Sequence, residues 1–299
     1  MADRILITPR SLTRDGHPAL QRLKDAGFEL VFATAGKQPD EAELRELLPG
    51  CVGCLAGVER IAAGALEAAD TLKAISRNGS GVDSIDLKAA EERGIKILRA
   101  AGANAEGVAE LAIGLMLSLT RAIPFSDAVL KGGDWERRKG IELQGRTLGV
   151  IGCGAIGRRV VRIALGFGMR VLGCDPYPDR TLAAPDAFSF AEFETVIAES
   201  DILSLHCPMP ENGQPLVTRG TIRRMKPGVL IVNTARAGLL DPDALLTALD
   251  DGAVGGAALD VFPEEPPSDR RLVDHDRVIA TPHMGGYTHE SVSRAVDTA

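Results

Sequence analysis

Short apolar runs alternate with amphipathic stretches from the start of this chain. Arg4–Thr8, Phe28–Ala33, Val52–Ala56, Leu72–Ser76 and Ile95–Leu98 read as strands. Runs this short, bounded by turn residues, suit a sheet covered on both faces. Stretches near 16–26, 40–48, 60–69 and 84–93 repeat apolar residues at helical spacing. Five strands with four crossover helices predict a parallel, flavodoxin-like sheet. The pattern breaks at 100–104, where Asn104 can cap a long helix to about Arg121, with Glu106 in its first turn. A second series places strands at Thr147–Ile151, Arg170–Cys174, Asp201–His206, Val229–Asn233, Gly255–Asp260 and Val278–Thr281, with helices near 155–167, 189–199, 218–224 and 241–251. Six parallel strands with helices between them predict a Rossmann sheet, and one more helix follows His283. The expected class is α/β: two Rossmann-like or flavodoxin-like parallel-sheet domains with a cleft between them. Residues 1–99, completed by 284–299, form one domain, and 100–283 the other.

Composition narrows the picture. At 299 residues, two domains are the expectation. Aromatics at only 4% leave the core to Val, Ile, Leu and Ala, and with 33 glycines this favours α/β layers over a disulfide scaffold. A net charge of −7 without a basic tail lacks the electrostatic footprint of a nucleic-acid binder. Five cysteines are too few, and odd in number, for a secreted disulfide framework. Cys51-Val-Gly-Cys54 has no second ligand pair and reads as a buried thiol pair, and His17, His275 and His289 show no ligand spacing, so no metal is expected. The longest apolar stretch, Leu111 to Leu119, is too short to span a bilayer, and the N-terminus carries charge at once. A cytoplasmic protein without a membrane partner is the expectation.

Candidate chemistry lies in the second half. Thr147-Leu-Gly-Val-Ile runs into Gly152-Cys-Gly154-Ala155-Ile156-Gly157 and then a helical pattern. In that strand–turn–helix setting Gly152 permits the tight turn, Gly154 lets the backbone approach a pyrophosphate, and Gly157 lets helix and sheet pack closely. Asp175 ends the next strand, 18 residues after Gly157, where a carboxylate accepts bonds from a ribose. Pro176-Tyr177 offers no cation for a 2′-phosphate and Arg180 is the nearest one, so the cofactor reads as NAD rather than NADP. Three further residues follow separate strand ends, where open α/β sheets place active sites: Arg236, Glu265 and His283. Arg can hold a carboxylate by two parallel bonds, while a carboxylate beside His favours imidazolium and fixes its ring. Individually these could be a surface Arg, a solvated Glu and a capping His. His206 admits a role behind the cofactor or plain packing. Trp135 reads as packing at a domain or subunit boundary. Cys153, Cys174 and Cys207 lie near the dinucleotide turn, so alkylation blocked by bound NAD is expected.

The combination Gly152-x-Gly154-x-x-Gly157…Asp175-Pro176, Asn233-Thr-Ala-Arg236-Ala-Gly238, Leu259-Asp260-Val-Phe-Pro-Glu-Glu265-Pro266 and Pro282-His283-Met-Gly-Gly resembles the D-2-hydroxyacid dehydrogenases, most of all their phosphoglycerate dehydrogenase branch. Arg77-Asn-Gly-Ser-Gly-Val-Asp83, Val108-Ala-Glu110 and Trp135-Glu-Arg-Arg extend the match along the chain. The resemblance implies an enzyme exchanging hydride between NAD and a small anionic 2-hydroxyacid or 2-oxoacid, and a homodimer built through the nucleotide domain. It implies D-3-phosphoglycerate and 3-phosphohydroxypyruvate, hence serine biosynthesis, with glyoxylate or hydroxypyruvate reduction as the alternative. An NAD(H)-sensing corepressor-like protein is the alternative of another class. It assigns Arg236 to the substrate, His283 to acid/base catalysis and Glu265, rather than Glu264, to orienting His283. Arg77, Asn78, Gly79, Ser80 and Gly81 are placed at the substrate, where converging amides suit an anion. Pro176, Cys207, Thr234, Ala235, Asp260 and Gly285 join the cofactor residues, Asp260 as a nicotinamide-amide contact. Gly57 stands where that branch commonly has a phosphate-binding Arg, leaving Arg60, Arg77, Arg137 and Arg138 as the cations that could compensate.

Overall fold

The computed structural model describes residues 2–179, 181–182 and 187–299. The chain divides into two compact units, Met1–Asn104 with Gly286–Ala299, and Ala105–Gly285.

The first unit holds β1 (Arg4–Ile7), β2 (Glu29–Phe32), β3 (Cys51–Ala56), β4 (Ala74–Arg77) and β5 (Lys96–Arg99). They form one sheet in the order β2-β1-β3-β4-β5, every pairing parallel. This is the flavodoxin-like order, which reverses direction between β1 and β3. Leu6, Ile7 and Ile75 are fully buried in it. The helix expected over 16–26 spans only Leu20–Asp25, and a short helix that the pattern did not show, Arg10–Asp15, precedes it. Gly16 ends the first at φ 69°, and His17 precedes Pro18, a position that disfavours helical backbone. Asp40 and Asp86 start the helices Glu41–Leu47 and Leu87–Glu92 by accepting from Glu43 N and Ala89 N. The helix His289–Thr298 returns to this unit, where Val296 packs with Ile7, Leu12, Leu20 and Leu55.

The second unit is a seven-stranded sheet of β6 (Thr147–Ile151), β7 (Arg170–Cys174), β8 (Phe188–Phe190), β9 (Ile202–Leu205), β10 (Val229–Asn233), β11 (Val254–Leu259) and β12 (Val278–Ala280). Its order is β12-β11-β10-β9-β6-β7-β8, again all parallel. Six strands were expected; the seventh, β8, is three residues long and was absorbed into the helix read over 189–199, which starts at Phe193. Phe188 and Phe190 project to the same side with ring centroids 5.0 Å apart, a period-two signal too short to separate from a helix start. The connection reverses between β6 and β9, which makes the carboxyl ends of these two strands the ligand-binding position of a doubly wound sheet.

The helix Ala105–Arg121 forms as expected and buries Ala109, Ala112 and Met116 against Leu148, Val160 and Val161 of its own unit. Asn104 Oδ1 accepts from the Ser80 hydroxyl at 3.1 Å. A second helix, Ile123–Lys131, which the sequence pattern did not show, follows at 63° after Ala122 at φ 49°. Among the described residues no single helix is long and apolar enough to cross a membrane. Trp135 is 83% exposed.

Candidate active site

All the residues of the dinucleotide turn lie in the second unit. Gly152 adopts φ 90°, and a Cβ there would stand 2.7 Å from the Cys207 N and the His206 carbonyl carbon. A Cβ at Gly157 would stand 1.9 Å from the Gly152 carbonyl oxygen, so both positions require glycine. Around Gly154 a Cβ would meet nothing within 4 Å, which leaves that stretch of backbone open to a ligand. Ala155 and Ile156 complete the turn and the helix Gly157–Gly166 leads away from it. At the end of β7, Asp175 accepts from Cys153 N at 2.7 Å and from Tyr177 N at 2.8 Å, one bond to each oxygen. A carboxylate oxygen has two lone pairs, so each retains capacity for a ribose hydroxyl. Arg180, the expected nearest cation, lies outside the described residues. Arg158 instead approaches Asp179, at 3.4 Å, and donates to the Gly154 carbonyl at 3.2 Å.

Two buried polar atoms beside this turn have no hydrogen-bond partner among the described residues: His206 Nδ1, after β9, and Thr234 Oγ1, after β10. Burial pushes the His206 imidazole down to about 4, so it is neutral, with Nε2 2.8 Å from Ser204 Oγ. Orphaned polar atoms are rare in a packed core, and here they fit a ligand carrying hydroxyls and an amide, as NAD does. The thiols give a different result from the one expected. Burial pushes Cys153 to about 12 and Cys207 to about 11, and also raises Cys174. Thiols held protonated are poor nucleophiles, so ready alkylation loses its chemical basis.

Arg236, Glu265 and His283 are set by three consecutive strand ends, those of β10, β11 and β12. Asn233, fully buried at the end of β10, accepts from Ala235 N at 3.0 Å and donates to the Arg236 carbonyl at 2.8 Å. These bonds shape the turn that presents Arg236, whose Nη1 donates to the Ala235 carbonyl at 2.7 Å. Asp260, only 1% exposed after β11, holds the next turn. It accepts from Thr281 Oγ1 at 2.6 Å, Met284 N at 2.9 Å and Gly285 N at 2.9 Å. That clamp holds His283 at φ 50°, a left-handed conformation that costs a residue with a Cβ on the order of 1 kcal/mol. Asn233 and Thr281 were not singled out from the sequence; a fully buried Asn closing an apolar strand was the available signal. Asp260 was read only as a cofactor contact, whereas both its oxygens serve the His283 turn.

His283 Nδ1 lies 2.7 Å from Glu265 Oε2, and Glu265 Oε1 accepts from Phe262 N at 3.1 Å. Glu264 turns to the Ser268 hydroxyl instead. The bond to Glu265 raises the His283 pKa above its ordinary value against the opposing effect of burial, with Asp260 adding to the rise and Arg236 countering it. Burial works to raise Glu265, yet the hydrogen bond and charge of His283, the Phe262 N–H and Arg236 together hold it below the ordinary carboxylate range. With Nδ1 engaged, Nε2 is the ring nitrogen left to exchange a proton. The arrangement is a half-exposed, oriented acid with the Arg236 charge near it.

The expected substrate residues Arg77 to Gly81 lie in the first unit. Asn78 N donates to the Ala56 carbonyl at 2.8 Å, Gly79 N to the Arg77 carbonyl at 2.8 Å, and Arg77 Nη1 to the Asn78 carbonyl at 2.7 Å. Ser80 Oγ accepts from Gly102 N at 3.2 Å. Asn78 Oδ1 is buried without a partner among the described residues. Of the other cations, Arg60 lines a small cavity with Asp83 and Asp86, and the Arg138 guanidinium stacks 3.3 Å from the Phe125 ring centre in the second unit.

The profile of the D-isomer specific 2-hydroxyacid dehydrogenase NAD-binding domain matches residues 113–285. The chain belongs to that family, and it is an NAD-dependent enzyme. Among curated relatives it is 42% identical over 261 residues to a hydroxypyruvate reductase of Thermotoga maritima, covering 85% of this chain and 84% of that one. It is 39% identical over 275 residues to the human D-3-phosphoglycerate dehydrogenase, covering 91% of this chain but 51% of the relative, so it spans about half that protein's length. Among solved structures, the D-lactate dehydrogenase of Escherichia coli superposes with a TM-score of 0.83 at 31% identity, over 99% of this chain and 93% of that one.

Proposed function

We propose that the protein interconverts a D-2-hydroxyacid and its 2-oxoacid, with the charged pair Glu265–His283 beside Arg236 as the observation that carries this reading. When bound, NAD supplies the hydride acceptor, and NADH the donor. In the reducing direction Arg236 holds the carboxylate and polarises the C2 carbonyl, and its charge opposes the negative charge gathering on that oxygen. His283 gives its Nε2 proton to the oxygen as C2 is reduced, and Glu265 stabilises the imidazolium before transfer and keeps Nδ1 protonated. In the oxidising direction neutral His283 takes the hydroxyl proton. Asp260 fixes the turn that carries His283, and Asn233 fixes the one that carries Arg236. The substrate reading is a compact anionic 2-oxoacid of the hydroxypyruvate type, either free or as its phosphate ester.

The pH profile tests the pair. Reduction needs protonated His283, so kcat/KM falls as pH rises through the His283 pKa. In the wild type that limb lies above the ordinary value of about 6.5 because Glu265 favours the charged ring. Glu265→Gln removes the charge, so the limb moves to lower pH and the variant loses reduction first in the window between the two positions. A limb that stays in place would separate Glu265 from the proton transfer.

A further inference from the structure

Beside the dinucleotide turn, in the second unit, lies an ion pair that the hydride and proton chemistry does not use. Arg158 stands in the first turn of the helix Gly157–Gly166. Its Nε donates to the Gly154 carbonyl at 3.2 Å, and its Nη1 lies 3.4 Å from Asp179 Oδ2. It thereby joins the glycine turn to the segment after β7. Asp175 joins the same two segments, accepting from Cys153 N at 2.7 Å and from Tyr177 N at 2.8 Å. Burial dominates the Cys153 thiol, and the charges of both residues reach it too, Asp175 raising its pKa and Arg158 lowering it. Arg158 is therefore a cation close to the carboxylate suited to the adenosine ribose.

Asp179 is held so as to occupy that cation. Its Oδ1 accepts from Thr181 N at 3.0 Å and from the Thr181 hydroxyl at 2.6 Å, which leaves Oδ2 turned to Arg158. The bonds from Thr181, with the charges of Arg158 and Arg162 adding to them, hold the carboxyl below its ordinary range, so it is charged at neutral pH. The Arg158 and Asp179 side chains are 37% and 32% exposed, so the pair is partly shielded from solvent. A 2′-phosphate on the adenosine ribose is accommodated by a nearby arginine, and an arginine engaged by a carboxylate must first give up that partner. Asp175 and Asp179 then stand as two carboxylates against a further anion.

We propose that Asp179 is a specificity-determining residue for the cofactor: by engaging Arg158 it keeps the ribose edge selective for NAD(H) over NADP(H). Asp175 has lone pairs for the ribose hydroxyls. Asp179 adds discrimination against a phosphate, acting through Arg158 rather than by touching the dinucleotide. Selectivity of this kind comes from withholding a partner from the wrong ligand, with no new contact to the right one. The proposal rests on the NAD dependence of the family and not on which 2-oxoacid is reduced.

The test is binding of NADH and of NADPH to the full chain, read by the fluorescence of the reduced nicotinamide. The proteins compared are the wild type, Asp179→Asn, and Asp179→Asn combined with Arg158→Gln. Asn keeps an acceptor for Thr181 while removing the charge. The wild type is expected to bind NADH at least about tenfold more tightly than NADPH, and Asp179→Asn to lower that ratio by about tenfold through tighter NADPH binding. Adding Arg158→Gln restores the ratio, because the gain runs through the freed guanidinium. A wild-type ratio at or below one overturns the proposal, and this arm stands even if the variants do not fold. A folded Asp179→Asn, checked by its Tm, with an unchanged ratio overturns it as well. So does a gain that survives Arg158→Gln, since another cation would then be receiving the phosphate. The titrations contain no 2-oxoacid, so a failure to reduce one counts against the function proposed above and leaves this result standing.

Discussion

Replacing His283 with Ala lowers kcat/KM for 2-oxoacid reduction by at least about a hundredfold, on the order of 3 kcal/mol. The size follows from what the ring does. Hydride arriving at C2 leaves an alkoxide unless a proton reaches the oxygen in the same step, and Nε2 is the ring nitrogen not bound to Glu265. Water can replace it only weakly, because water lacks both the fixed position and a matched pKa. Removing the ring also leaves the Glu265 carboxylate beside the substrate, an added repulsion for an anionic acid. Steady-state NADH oxidation reads the effect directly. Rates near those of the wild type would take His283 out of the reaction.

Arg236→Ala has a loss of similar order, at least about a hundredfold in kcat/KM, and it divides differently. Under the proposed function, Arg236 acts in the ground state by holding the carboxylate and in the transition state by facing the developing oxyanion. Both KM and kcat therefore suffer, with KM rising clearly. Arg236→Lys recovers only part of the loss, since an ammonium cannot make two parallel bonds to a planar carboxylate. Arg236→Ala also removes a charge that lowers the His283 pKa, so its alkaline limb of the reduction profile moves up as activity falls. A full recovery by Lys would show that only charge, and not the fork geometry, is used.

Much of this was legible in the residues. The run Thr147–Ile151 is fully buried, and an unbroken apolar strand ahead of Gly152, Gly154 and Gly157 admits few other structures. The three strand-end residues could be placed from local patterns, because a parallel sheet puts every carboxyl end on one edge. What stayed hidden depends on contacts made across the sequence. β8 exists because Phe188 and Phe190 pair with β7, which no three-residue pattern reveals. Asp260 serves the His283 turn through the backbone of Met284 and Gly285, groups that every residue carries and that therefore leave no signature. The thiols near the turn looked reactive by position, and burial rather than sequence decides their protonation.

The central claim is NADH-dependent reduction of a 2-oxoacid to the D-hydroxyacid, and the chirality of the product tests it most directly. Purified protein is given NADH and hydroxypyruvate, and the glycerate formed is resolved into its enantiomers. D-glycerate, formed in proportion to NADH consumed and lost in His283→Ala, is the expected result. L-glycerate, or no consumption of NADH with any 2-oxoacid offered, would contradict the account.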